Sequence, residues 1–492
     1  YFNYHFFKKI IIFGFLNIIM KKHYLLTFLL LASFLVVSCD NEDDYQPIDD
    51  LPVATDDTVN STLTTAVEIP VLDNDTTGDE VVPTSVSIVN GTDTNSNGTL
   101  DQLIVPAEGT WQVNASTGTI TFTPLSTFVG NPTAIKYTVK DAENNVSNEA
   151  NVTINALPIV SVDLTTVPYP KLSDYHFFVG NIKDQVPSLN VLPYEPASAL
   201  FSDYAHKKRF VWMPEGTHAT YNGDENIFEF PVGAVLVKTF FYENVIPGNI
   251  SKNVETRLLI RKSDGWKAYT YVWNESQTDA LLETTDNGLI VPVSWIENSI
   301  TKNVNFKVPA QTECITCHKI NPNHTGEITI PIGPKPQNLN TVFSYTSGAM
   351  NQITKWKSVG YLASDTPETS QIYSTVDWRD TSKSLELRAR SYIDMNCAHC
   401  HRDGGHCDYV PQRFDFGNTN LLTFGVCLTP LFSVQDHPFI INAGDAEHSV
   451  MVYRMNTNEE SQMMPIIGRT TIHTEGVQLI KDWINSLPAN CH

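Results

Sequence analysis

Two short motifs constrain this chain more than any other feature, because each places two cysteines and a histidine within five residues. Residues 314–318 read Cys-Ile-Thr-Cys-His, and residues 397–401 read Cys-Ala-His-Cys-His. Two thiols three positions apart lie on one helical turn and can each add to a haem vinyl group, and the histidine that follows reaches the iron from the same side. We therefore predict two covalently bound haem c groups, each with its iron. The residues predicted to hold them are Cys314, Cys317, His318, Cys397, Cys400 and His401.

The same cysteines leave two other interpretations open. Cysteine and histidine are also the ligands of structural zinc sites, and paired thiols can form disulfides. Two complete motifs, each with its adjacent histidine, favour haem over both, as does the export predicted below from the N-terminal segment.

A methionine after the second motif is the expected sixth iron ligand. Met464 precedes Pro465 in the loop before a predicted helix over 474–487, which ends at Pro488. A helix, a haem motif, a long loop, Met-Pro and a C-terminal helix follow the order of a single-domain cytochrome c. That resemblance implies ligation by Met464, with Met463 as the alternative, and a thioether ligand raises the reduction potential.

The first motif has no comparable Met-Pro partner. The candidates for the sixth position at His318 are His206 and Met213 upstream and His324 and Met350 downstream. The position can also be open, which would make this haem reactive rather than a relay.

The N-terminal segment predicts export. Met20 is followed by Lys21, Lys22 and an apolar run over 25–37, as in a signal peptide, so residues 1–19 are interpreted as an over-extended start. The run ends in Val-Val-Ser-Cys39, which resembles a bacterial lipobox and implies cleavage before Cys39 and lipidation of its sulfur. A single transmembrane anchor is the alternative. The acidic residues 40–44 resemble a surface-export signal or form a solvated tether.

Export through a lipobox predicts an outer-membrane lipoprotein of the bacterial cell envelope, exposed to the periplasm or the surface and held to the membrane by its lipid. The formal charge of −22 argues against nucleic acid as a partner, because phosphates would be repelled. It would suit a basic redox partner, whose identity the sequence does not give. An oxidising compartment also favours a disulfide. We expect it between Cys407 and Cys427, which leaves Cys491 free.

Composition and patterning divide the chain into five parts. They are a start and signal peptide (1–38), an acidic tether (39–52), a β-sandwich (53–156), a β-rich domain ending in the first haem site (157–375) and a helical cytochrome c-like domain with the second haem (376–492). The predicted fold class is therefore multidomain, with an all-α domain following two β-rich ones. A hairpin around Asp264-Gly265 is expected within the second of these.

The segment 53–156 alternates in short strands separated by turn residues and carries Val-Leu-x-Asn-Asp. It resembles the cadherin-like or immunoglobulin-like repeats of bacterial surface proteins, which implies a β-sandwich spacer or adhesive module. Asp56, Asp57 and Asp75 are candidates for calcium binding, and turn formation is the alternative reason for these residues.

Residues 167–489 resemble a little-characterised family of bacterial diheme c-type cytochromes. The matching segments, in order, are 200–205, 230–233, 264–266, 271–275, 277–280, 332–335, 338–340, 396–401 and 463–465. The resemblance implies haem content and export but no substrate. Residues 200–320 are also similar to hydroxylamine-oxidising cytochromes built on a β-sandwich, whose haem is crosslinked to a lysine, and Lys238 would be the counterpart here.

These observations predict an electron carrier. The alternatives are a redox enzyme, peroxidase-like or an oxidase of small nitrogen compounds, with the first haem catalytic and the second as relay, and a surface-binding protein in which the haems are secondary.

Overall fold

The computed structural model describes residues 50–321, 326–489 and 491. The signal peptide, Cys39 and most of the acidic tether lie outside the described residues, as does His324.

A β-sandwich comes first along the described chain. Its strands are β1 (Asp57–Ser61), β2 (Val67–Ile69), β3 (Val82–Ile88), β4 (Gln102–Val105), β5 (Gly109–Val113), β6 (Ile120–Pro124), β7 (Ile135–Lys140) and β8 (Ala150–Ala156). They form two four-stranded sheets in the orders β1-β8-β7-β3 and β2-β6-β5-β4. Side chains alternate between buried and accessible in β7 of the first sheet and in β5 of the second, so each sheet has one apolar face. The two faces enclose Trp111, Phe122 and Tyr137, which have no exposed surface.

A larger β-rich region follows. Its strands are β9 (Phe178–Val179), β10 (Val186–Pro187), β11 (Leu192–Pro193), β12 (His206–Trp212), β13 (Val235–Val245), β14 (Ile250–Lys262), β15 (Gly265–Trp273), β16 (Ala280–Leu282), β17 (Leu289–Glu297), β18 (Ile300–Val308), β19 (Lys319–Ile320), β20 (Ile328–Thr329), β21 (Val342–Tyr345) and β22 (Gly348–Asn351). An antiparallel sheet orders β11-β12-β13-β14-β15-β16, and β17 and β18 extend it from the end of β13.

The β14–β15 hairpin confirms the turn predicted at Asp-Gly. Lys262 pairs with Gly265, and Gly265 has a φ of 121°, which a residue without a Cβ adopts readily. One side of this sheet packs on an aromatic cluster that includes Tyr175 and Phe177. The other side contributes to the cavity described below.

The helices are short and lie mostly in the second half of the chain. They are α1 (Cys314–His318), α2 (Pro336–Leu339), α3 (Gln352–Ser358), α4 (Leu385–Ile393), α5 (Val450–Met455) and α6 (Thr474–Ser486). Short 3-10 turns occur at Leu172–Tyr175, Ile182–Asp184, Gln311–Glu313 and Thr369–Gln371. None of the helices within the described ranges is long and apolar enough to cross a membrane.

The C-terminal region departs from the predicted all-α domain. Helices α4, α5 and α6 are present, and Trp483 and Ile480 of α6 pack with Ile393 of α4 in one core. Residues 399–449 between them hold turns and isolated bridges rather than helices, such as the one joining Val426 and Ile441. This stretch contains five glycines and three prolines, which interrupt helices. The chain is therefore β-rich and multidomain, and the all-α expectation is wrong for this stretch.

The predicted disulfide is also wrong. Cys427 is bonded to Cys491, with the two Cα atoms 5.0 Å apart, and Cys407 is free and buried. After α6 the chain turns back along the segment around residue 443, where the amide of Ala443 donates to the Cys491 sulfur. Spacing along the sequence could not indicate this return, because the partners are 64 residues apart.

Candidate functional site

The first Cys-x-x-Cys-His motif forms a single helical turn at the end of the large sheet. Strand β18 leads through a 3-10 turn into α1, and the Glu313 carboxylate just before α1 accepts from the amide of Ala310 at 2.8 Å and from Lys307 Nζ at 2.6 Å. Cys314, Cys317 and His318 all line one cavity. The turn therefore presents both thiols and the imidazole to the same space, as covalent haem attachment requires.

The imidazole of His318 is held in one tautomer. Its Nδ1 lies 2.9 Å from the carbonyl oxygen of Ile330, and an acceptor there requires Nδ1 to carry the proton. Burial lowers the pKa of His318 to about 4, so the ring is neutral at physiological pH. Nε2 is left with a free lone pair, which is the arrangement of a metal-ligating histidine with its outer hydrogen bond in place.

The second motif extends helix α4. A π-helical turn over Asp394–Ala398 continues α4, and the amide of His401 donates to the carbonyl of Cys397 at 3.0 Å. Asn396 donates to the carbonyl of Tyr392 at 2.9 Å and accepts from the amide of Phe201 at 2.8 Å, so the motif is also fixed to the β-rich region.

A buried ion pair joins the same turn to the β-rich region. Lys335 Nζ lies 3.0 and 3.1 Å from the two carboxylate oxygens of Asp394, and the side chains are 5% and 1% exposed. Lys335 ends the segment 332–335, whose neighbouring residues line the cavity. The pair therefore joins the helical turn that begins the second motif to a segment that lines the same cavity as the first motif.

One cavity of about 310 Å³ receives both motifs. Its lining includes all six predicted attachment residues and Met464. Buried apolar side chains that include Phe414, Ile440, Val450 and Val477 also line it, and the Phe414 ring lies 5.0 Å from the His401 ring. Burial lowers the pKa of His401 to about 4, and its buried Nδ1 has no hydrogen-bond partner among the described residues. A neutral imidazole whose Nε2 is likewise not hydrogen-bonded to a described residue is free to bind a metal through Nε2.

Met464 lies in this lining, and Met463 does not. Two hydrogen bonds hold the backbone of Met464. The Met464 amide donates to the carbonyl of Arg454 at 2.9 Å, and the Met464 carbonyl accepts from Arg469 Nε at 3.2 Å. This placement favours Met464 as the thioether facing His401.

The loop that follows Met464 is anchored by Asp203. The carboxylate of Asp203 is buried and accepts from the amides of Thr470 and Thr471 at 2.7 and 2.9 Å and from both hydroxyls. The segment 200–205 thus positions the methionine loop, a role that its sequence did not indicate.

The candidates for the sixth position at the first motif lie elsewhere. Met213 is buried in the core that contains Trp356, His206 is exposed at the start of β12, and Met350 is exposed on β22. None of these three lines the cavity, whereas Lys238 does. Burial, followed by repulsion from neighbouring arginines, holds the pKa of Lys238 well below its ordinary value.

The two motifs come close to each other beside His399, a histidine for which the sequence predicted no role. His399 lies between the cysteines of the second motif, and ligand atoms of Cys317, His399 and Cys400 all lie within 4.8 Å of one another. A hydrogen bond with Cys400 lowers the pKa of Cys317 well below its ordinary value. The only sequence signal for His399 was its position inside the motif.

The three aspartates that were candidates for calcium binding do not all lie in the same environment. Asp57 and Asp75 are buried together, and Tyr137 donates to Asp75 at 2.9 Å. Burial and the neighbouring Asp75 raise the pKa of Asp57 to about 6. Asp56 is exposed and instead accepts from the amide of Asn151 at 2.7 Å.

Comparison with known proteins concerns the β-sandwich. Residues 52–154 match the family model of the surface adhesin CshA repetitive domain. No curated protein matches the chain. The β-sandwich of this chain is therefore similar to a domain of a bacterial surface adhesin, which associates the protein with the cell surface or envelope.

Proposed function

We propose that this protein is an envelope-associated diheme c-type cytochrome that transfers electrons. The observation that carries the proposal is the convergence of two complete Cys-x-x-Cys-His motifs and Met464 on one cavity. All four motif cysteines are free thiols, and neither motif histidine is committed through Nε2 to a described hydrogen-bond partner.

The residues divide into two sets. Cys314, Cys317 and His318 would hold the first haem. The second set is Cys397, Cys400 and His401, with Met464 facing them. The haem irons, when bound, would cycle between Fe(II) and Fe(III) and so carry single electrons.

The protein would contribute position and exclusion of water. The contact between the motifs at Cys317 and Cys400 brings the two attachment sites to adjacent walls of one cavity. Apolar side chains near His401 and the Met464 thioether would both favour Fe(II) over Fe(III), and so would raise the reduction potential of the second haem. That asymmetry suits a relay in which the second haem accepts electrons from the first.

A specific observation supports a redox enzyme as the second candidate function. The three described candidates for the sixth position at His318 lie away from the cavity, while Lys238 and Arg209 on the sheet line it. A first haem with an open position could bind and convert a small molecule, with the second haem as relay.

A zinc site is the rival occupant, and the triad of Cys317, His399 and Cys400 is the observation behind it. Zinc at this triad would leave Cys314, Cys397 and both motif histidines without a role. Haem attachment uses every one of these residues, and we favour it for that reason.

Anchoring belongs to the same proposal. Lipidation at Cys39 would tether the chain to the outer membrane, with the CshA-like sandwich between the lipid and the haem region. A surface-binding protein is the alternative that this sandwich supports.

Visible spectroscopy with cyanide tests the proposal and separates carrier from enzyme. A ferric protein whose two haems are both low-spin and do not respond to cyanide is a carrier. A shift of about half of the Soret absorbance indicates an open first haem and supports the enzyme.

Single-motif variants assign each signal. Cys314→Ala/Cys317→Ala should retain only the second haem, and Cys397→Ala/Cys400→Ala only the first. Cys407→Ala is the matched control, because this free thiol lines the same cavity but belongs to neither motif. Loss of haem from the Cys407 variant, or no change in the motif variants, would contradict the proposal.

A further inference from the structure

A row of cationic side chains crosses the sheet where it faces the cavity. Arg209 on β12 lies opposite Lys238 on β13, and Lys238 lies opposite Arg257 on β14. Thr270 on β15 lies opposite Arg257 and completes the row. All four side chains line the cavity. Like charges directly opposite one another on a sheet are destabilising, so this arrangement carries a cost that a bound anion would remove.

The charges in the row are incompletely compensated from within the chain. Arg257 is paired with the buried Glu255, with Nη2 2.9 Å from Oε2. Arg209 approaches its nearest carboxylate, on Glu195, only at 4.0 Å. No described residue gives Lys238 an acceptor, and its ammonium lies over the Phe240 ring at 4.7 Å. Among the described residues, only the Glu255 carboxylate is in hydrogen-bond contact with one of these three side chains, and the Glu195 carboxylate is more distant.

A buried polar group points to a missing ligand. Arg209 is 6% exposed, and its Nη1 has no hydrogen-bond partner among the described residues. Thr270, at the far end of the row, is 3% exposed, and its hydroxyl has no partner among those residues either. Buried donors without acceptors are rare because each costs the desolvation of the group.

The charged side chains that line the rest of the cavity are also mostly positive, although the whole chain carries a formal charge of −22. Arg454 and Arg469 also line it, and Glu313, the acidic residue in the lining, is paired with Lys307 at 2.6 Å. An acidic protein thus has a cationic interior site.

We propose that Arg209, Lys238 and Arg257 form a binding site for a carboxylate or a small oxyanion beside the first Cys-x-x-Cys-His motif. Arg209 and Lys238 lie on adjacent strands and would contact the anion directly, and Arg257 would add its charge from the next strand. A bound anion favours the protonated form of Lys238. A propionate of the first haem and a free anion from solution share this chemistry. The propionate form rests on the proposed function, whereas the free-anion form does not.

The test uses the purified full-length protein, Arg209→Gln and Lys208→Gln. Lys208 is the matched control, because it lies on the same strand with its side chain on the opposite face and outside the cavity. Arg209→Lys keeps the charge and separates loss of binding from misfolding. Inorganic phosphate is titrated calorimetrically, and the potential of the first haem is measured across pH 5 to 8.

A free-anion site predicts saturable phosphate binding that Arg209→Gln weakens on the order of tenfold or more, that Arg209→Lys weakens less because it keeps the charge, and that Lys208→Gln leaves unchanged. A propionate site predicts no phosphate binding, but a first-haem potential that becomes dependent on pH in Arg209→Gln only, because the propionate loses the partner that keeps it ionised. Absence of phosphate binding together with an unchanged pH profile in Arg209→Gln would overturn the proposal. Haem content, measured separately, shows whether the proposed function fails independently.

Discussion

The ion pair between Lys335 and Asp394 makes a quantitative prediction about how the second motif is held. Lys335→Met removes the ammonium and leaves the carboxylate of Asp394 in the interior. That carboxylate is 1% exposed and would retain the amide of Phe416, at 3.2 Å, as a donor. Solvent cannot replace the lost charge at such a site.

The expected cost follows from the burial of both groups. Removing one member of a buried ion pair destabilises a protein by about 3–5 kcal/mol, because the remaining charge is uncompensated. The double variant Lys335→Met/Asp394→Leu removes both charges and should recover most of this loss. Lys136→Met is the control, because Lys136 lies 2.9 Å from Glu149 but both side chains are about half exposed. Exposed pairs contribute about 0–1 kcal/mol.

Urea denaturation followed by tryptophan fluorescence measures the effect. With a slope of about 1–3 kcal/mol per molar urea, Lys335→Met should lower the midpoint of the haem-region transition by about 1 M or more. The control should leave this transition in place. If the single variant costs less than about 1 kcal/mol, or if the double variant is as unstable as the single one, the pair does not hold the motif in the way described.

Three further outcomes are expected. Cys39→Ala should release the protein from membranes, as fractionation would show, and normal membrane retention would argue against the lipid anchor. Met464→His should keep the second haem low-spin but lower its potential in a redox titration, whereas Met463→Leu should change little; the reverse pattern would move the ligand by one residue. Asp57 has a pKa raised to about 6, so the folded sandwich binds a proton that the unfolded chain releases near pH 4, and its stability should fall as pH rises from about 4 to 6. Asp57→Asn should flatten that dependence in thermal melts, and an unchanged profile would exclude Asp57 as its source.

The local structure of this chain followed from patterns within short windows. Alternation predicted strands such as β7, and the Asp264-Gly265 turn predicted the β14–β15 hairpin. The helix predicted over 474–487 before Pro488 forms as α6 at Thr474–Ser486. These signals are local because hydrogen bonds and side-chain periodicity act over a few residues.

The relations between distant segments could not be read in the same way. The bond of Cys427 to Cys491 depends on the path taken by the chain after α6. The cationic row depends on the register of three strands, and none of its residues is unusual within its own strand. The anchoring role of Asp203 likewise needs a loop more than 260 residues away. Such features arise from topology, which a single sequence leaves open.

The number of covalently bound haems per chain decides most of what is proposed above. The purified protein should retain its haem through acid–acetone extraction, because thioether bonds to Cys314, Cys317, Cys397 and Cys400 survive denaturation, and its pyridine haemochrome should correspond to two haems per chain. Metal analysis of the same sample should give matching iron and no stoichiometric zinc. Extractable haem, or zinc in place of iron, would contradict the assignment of these motifs.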